Sequence, residues 1–157
     1  MLNTLRKLYA VNILSPSGFY KLVKSFFYSG INPMALLRFA AELYPEDVAL
    51  TDDYEALTYN ELYVQSRHLA SVFREEFNVT ANKKVAAVCR NHVSFVRTLF
   101  AVSGSGADIY LLNAEMSCAQ FGALTARHNF DLVIHDAGVS GLIGPIPCWG
   151  RVRCALA

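Results

Sequence analysis

Apolar residues along the chain alternate between helical and strand spacing, and each change of period marks an element. Leu2, Leu5, Leu8, Tyr9 and Ile13 recur at helical spacing with Arg6 and Lys7 beside them, until Ser15, Pro16, Ser17 and Gly18 break the stripe. Phe19 to Tyr28 forms a second apolar block that contains Lys21 and Lys24. Asn32 before Pro33 reads as a helix start, because an Asn oxygen accepts from the free first-turn amides and Pro fits that turn. Leu37, Ala40, Ala41 and Tyr44 share one face of that helix, and Pro45 ends it. Two short apolar runs, Val48 to Leu50 and Ala56 to Tyr59, flank an acidic turn and predict a β-hairpin. Thr58 and Glu61 then stand at the spacing of a capping box. The helix that follows carries Leu62, Ser66, Leu69, Ala70, Phe73 and Phe77 on one face.

Beyond Asn82 three apolar runs of strand length appear, within Lys84 to Arg90, Gly106 to Asn113 and Asp131 to Asp136, separated by helical segments. Parallel strands cannot be joined by tight turns, so this alternation predicts a parallel sheet with crossover helices. Val85 to Val88 is continuously apolar, as expected of a strand covered on both faces. One crossover helix presents Val93, Val96, Leu99, Phe100 and Val102 and stops at the run Ser103 to Gly106. The other, Ser117 to Arg127, turns Phe121, Leu124 and Thr125 inward and closes at His128 and Asn129. The expected fold class is α/β, a partial open parallel sheet with crossover helices, preceded by helices and a small β-hairpin. The expected organisation is a basic, aromatic helical leader over 1–31, an α/β part over 32–136, and an irregular tail over 137–157. That tail has four glycines, two prolines, no acid and the only Trp.

Composition sharpens the picture at the leader. The chain is 54% hydrophobic and 17% charged, against about a quarter charged in ordinary soluble domains, so much apolar surface needs a cover. The net charge of +1 does not point to nucleic acid, but every Asp and Glu lies between Glu42 and Asp136. Before Glu42 the only charges are those of Arg6, Lys7, Lys21, Lys24 and Arg38. One function open to such a leader is an interfacial helix with its lysines against anionic lipid; the other is a segment that packs on a further part of a larger protein. No apolar run reaches the eighteen or so residues that span a bilayer, and the run from Leu8 to Leu14 is too short for a signal peptide. Cys89, Cys118, Cys148 and Cys154 form no CxxC pair and have no His at ligand spacing, which predicts reduced thiols in a cytoplasmic protein, peripheral to a membrane if the leader binds one.

Candidate chemistry is thin. Asp52 and Asp53 lack a third carboxylate at loop spacing and read as a solvated turn. Ser103 to Gly106 follows a helix and lacks the Lys-Ser or Lys-Thr of a phosphate loop. Arg90, Asn91 and His92 are the best-placed polar residues, since ligands gather at the carboxyl ends of parallel strands, with Asn91 expected to cap the next helix. His68 and His135 have no acid-base partner nearby in sequence, and His135 reads as a residue leaving the sheet. No residue is assigned a catalytic, cofactor-binding or metal role.

The pieces TYNEL (Thr58 to Leu62), Lys84 to Asn91 and Gly106 to Asn113, in that order, resemble the N-terminal part of the AMP-forming acyl-CoA synthetases. This adenylate-forming superfamily also holds luciferases and nonribosomal peptide adenylation domains. The resemblance covers Asn32 to Asp136 and departs from the family pattern at Ala114, where a Pro usually follows the "LN". It implies a parent that activates a carboxylic acid, plausibly a fatty acid, with ATP, Mg²⁺ and CoA. It also implies that a Ser/Thr/Gly-rich phosphate loop ending in Pro-Lys-Gly, later acidic and aromatic motifs, and a lysine on a C-terminal lid follow this point. The expectation is therefore an N-terminal fragment with a truncated or frameshifted tail, inactive alone, marginally stable and prone to associate. The alternative is a non-enzymatic module whose leader binds a membrane surface or a partner chain.

Overall fold

The structure is a computed structural model that describes residues 15–136 and 153–156. The stripe from Leu2 to Leu14 and most of the tail, including Cys148 and Trp149, lie outside the described residues. The chain forms two compact units, residues 1–64 and 65–157.

In the first unit the Ser-Pro-Ser-Gly run, read from sequence as the break after the first stripe, also opens the helix of the second apolar block. Ser15 Oγ accepts from the Gly18 amide at 2.9 Å and Pro16 occupies the first turn, so both residues serve as start signals for α1 (Pro16–Ser29). Gly30, at φ 75°, ends it with its N–H on the Phe26 carbonyl. Helix α2 (Pro33–Leu43) is capped by Asn32 as its sequence predicts, and buries Met34, Ala35, Leu37, Phe39 and Ala41. The hairpin pairs β1 (Val48–Thr51) with β2 (Ala56–Thr58) antiparallel. Asp52 Oδ1 closes its turn by accepting from the Tyr54 and Glu55 amides at 2.9 Å each. Helix α3 (Tyr59–Phe77) starts on the expected capping box, with the Glu61 amide on Thr58 Oγ1 at 3.2 Å and the Thr58 amide on Glu61 Oε2 at 2.9 Å. Those Thr58 bonds hold the Glu61 carboxyl below its usual range.

The second unit is built on a parallel sheet of β3 (Lys84–Val88), β4 (Asp108–Leu111), β5 (Leu132–His135) and β6 (Arg153–Leu156), in the order β4-β3-β5-β6. Strand β6 is a departure from the irregular tail read from sequence. It has four residues and no turn signal of its own, and only the ladder with β5 distinguishes it. Helices α4 (Val93–Gly104) and α5 (Cys118–His128) are the crossovers. Strand β4 lies on one side of β3 and β5 on the other, and right-handed crossovers in opposite directions place their helices on opposite faces.

Alternation along the strands then fills both faces. Val85, Leu132 and Ile134 pack with Ala70 and Phe73 of α3 and with Ala101 and Val102 of α4. Ala86, Val88 and Val133 pack with Phe121 of α5 and with Phe130. The buried side of α4 is Val93, Thr98, Ala101, Val102 and Ser103, so Val96, Leu99 and Phe100 are only half-buried, contrary to the hydrophobic reading. Helix α5 begins on a capping box of Ser117 and Gln120 and ends at Asn129 in the left-handed region.

Candidate functional site

The chain leaves β3 toward β4 and leaves β5 toward β6, on the other side. The carboxyl ends of β3 and β5 therefore face each other where the strand order reverses, the place at which open α/β sheets bind ligands. Arg90 and His92 arrive there from β3, and Asp136 from β5.

Asp136 ties the two strand ends together. Its Oδ2 accepts from the Arg90 amide and its Oδ1 meets His92 Nε2, both at 2.7 Å. His92, not the expected Asn91, is the N-cap of α4, with Nδ1 accepting from the Phe95 amide at 3.3 Å. Asn is the better cap by residue type, but here the bond to Asp136 fixes the imidazole one residue later. An Nδ1 that accepts from an amide carries no proton, so the proton is on Nε2 and is donated to Asp136. The pair has the look of a base and its orienting acid, yet the nitrogen that would take a proton is already occupied by the helix.

The neighbouring groups are similarly committed. Burial, followed by the charge of Asp136, pushes the Cys89 thiol up to about 12, so it remains protonated and a poor nucleophile. His135, read from sequence as leaving the sheet, is the last residue of β5 and is buried, with Nδ1 3.0 Å from the Asp136 carbonyl oxygen. Arg90 and Asn91 are exposed at the rim, and His68 is exposed on α3. Asp52 and Asp53 remain in the hairpin turn, and among the described residues no three His, Cys, Asp or Glu gather as a metal site. Asp136 went unnoticed in the sequence because its partner lies 44 positions away.

Comparison with known proteins follows the same outline. A family profile described as AMP-binding enzyme matches residues 37–146. Comparison with curated proteins finds no match. Among solved structures the chain is similar to a benzoate CoA ligase from Burkholderia xenovorans, at 18% identity and a TM-score of 0.74, over 81% of this chain and 26% of that one. It is similar to a Mycobacterium tuberculosis fatty acyl CoA synthetase at 20% identity and a TM-score of 0.74, over 80% of this chain and 26% of that one. It is also similar to the O-succinylbenzoate CoA synthetase of Bacillus subtilis in complex with ATP and magnesium, at 20% identity and a TM-score of 0.67, over 76% and 32%. The chain thus spans between 26% and 32% of the length of these structures, and at such identities the likeness is one of fold.

Proposed function

The chain belongs to the AMP-binding enzyme family, and from that premise we propose that it is the N-terminal α/β part of an ATP-dependent, AMP-forming acid–CoA ligase, of fatty-acid type. The observation that carries this reading is the family match over residues 37–146, which runs through the hairpin, the capped α3 and the strands β3, β4 and β5. In this reading 1–31 is a leader, 32–136 belongs to the AMP-binding domain, and the 157 residues do not activate an acid alone.

Acid activation requires a carboxylate to attack the α-phosphate of ATP as pyrophosphate leaves, with cations and amides around the phosphates. The residues at the strand ends do not fit that task. Both oxygens of Asp136 are engaged by the Arg90 amide and His92, and Nδ1 of His92 is engaged by α4. We therefore assign ATP, Mg²⁺ and CoA to further sequence and derive no step through them here. Asp136 and His92 serve as a brace that holds the carboxyl ends of the two central strands together. The test is the coding sequence downstream of the Asp136 codon, read in all three frames. A Ser/Thr/Gly-rich stretch ending in Pro-Lys-Gly is expected, and its absence from every frame would overturn the ligase reading.

A further inference from the structure

Helix α1 is inverted relative to an ordinary surface helix, whose apolar stripe faces the core. Its buried positions are small: Gly18 is buried, and Ser25 is fully buried with its hydroxyl donating to the Ala35 carbonyl, while Leu22 and Phe26 are half-buried. Its outer side is apolar and aromatic, with Phe19 60%, Tyr20 68% and Val23 47% exposed. At 3.6 residues per turn, Phe19, Tyr20 and Val23 share one face, Lys24 lies on its flank, and Lys21 falls nearer the buried side.

The charge beside that face is one-sided. No acid precedes Glu42 in the sequence, and Glu42 is surrounded by cations. Lys24 Nζ lies 3.8 Å and Arg38 Nε 3.3 Å from its Oε1, while Lys21 Nζ donates to its carbonyl at 2.9 Å. Three cations thus gather about Glu42, two on its carboxylate and one on its carbonyl, leaving net positive charge next to an aromatic surface. Lys21 and Lys24 are turned toward Glu42 of α2 rather than fully outward.

A surface that offers both apolar depth and negative charge complements this arrangement. Helix α1 has 14 residues, about 21 Å at 1.5 Å per residue, against the roughly 30 Å of a bilayer's hydrocarbon core. Among the described residues no helix is long and apolar enough to cross a membrane. We propose that α1 docks on an anionic membrane surface, laying Phe19, Tyr20 and Val23 into the headgroup region with Lys24 at its edge and Lys21 and Arg38 adding positive charge behind it. Each cation near such a surface raises partitioning by about fivefold. This docking is independent of acid activation and stands or fails separately from it.

The test is flotation of the 157-residue chain with phosphatidylcholine vesicles, with and without phosphatidylserine. The chain is expected to float with the anionic vesicles, to float less with neutral ones, and to be released by high salt. Replacing Phe19→Ser and Val23→Ser together is expected to lower vesicle partitioning by about tenfold. Tyr54→Ser, at a side chain 93% exposed in the hairpin turn, is expected to change nothing. Absence of flotation, equal flotation of the double variant, or an equal loss with Tyr54→Ser would overturn the docking. So would a double variant that floats normally but sediments as a smaller species, because a second copy of the chain would then cover the face. If the double variant loses helix content by circular dichroism, the lipid and salt dependence of the unaltered chain decides.

Discussion

Thr98 and Ser66 are buried at 1% and 0% exposure, and neither hydroxyl has a hydrogen-bond partner among the described residues. A buried hydroxyl without a partner carries its desolvation cost uncompensated, and removing it with the shape retained relieves that cost. Thr98→Val is therefore expected to raise the unfolding free energy by about 1 kcal/mol in urea titration; a loss of similar size would mean that the hydroxyl is satisfied in solution. Cysteine chemistry divides on the same principle. Cys89 is buried with its thiol pushed up to about 12, whereas Cys118 is exposed at the start of α5. Iodoacetamide labelling mapped by mass spectrometry is expected to modify Cys118 in the native protein and Cys89 only on unfolding. Equal native labelling of the two would contradict the burial of Cys89. His92 marks the limit of reading residues singly: residue type favours Asn91 as the cap, and only a carboxylate 44 positions on makes His92 the better one.

Strand β5 is bracketed by two aspartates, and each grips an end of β3. At the entry Asp131 Oδ2 accepts from the Lys84 amide and Oδ1 from Lys83 Nζ, both at 2.9 Å; at the exit Asp136 holds the Arg90 amide and His92. Burial raises the Asp131 carboxyl, but the Lys84 amide and the Lys83 ammonium outweigh it and leave the group below its ordinary value of 3.8. A carboxyl depressed in the folded state contributes stability that is present above the unfolded value and is lost as pH falls through the folded one. The urea midpoints of the unaltered protein and of Asp131→Asn are thus expected to differ at neutral pH and to converge as pH drops below 3.8. A constant difference would remove the charge from the account. At this scale the sequence is most legible where burial is complete. The run Val85 to Val88 reads directly as a strand, since a strand covered on both faces has no polar positions. The order β4-β3-β5-β6 is not legible, because the pairing of β3 with β5 skips β4 in the chain. The four-residue β6 is not legible either, because it takes its structure from β5 alone.

Across the whole chain, order and pattern place it in its family while saying little of chemistry. The pieces Thr58 to Leu62, Lys84 to Asn91 and Gly106 to Asn113 become the capped start of α3, the first core strand with its exit, and the strand β4. These are structural solutions: a cap, a doubly covered strand, and Gly106 at φ 75° with Ala81 close beside it. A fold can therefore be recognised from them while the groups that act on ATP and an acid are assigned to further sequence. On the proposed reading these residues build a scaffold, and activation requires groups that they do not supply. The most direct test of that claim is acid-dependent ATP–pyrophosphate exchange by the purified 157-residue chain with benzoate and fatty acids of several lengths. The account predicts exchange no faster than in reactions without protein; steady turnover that depends on an acid and grows with protein concentration would contradict it.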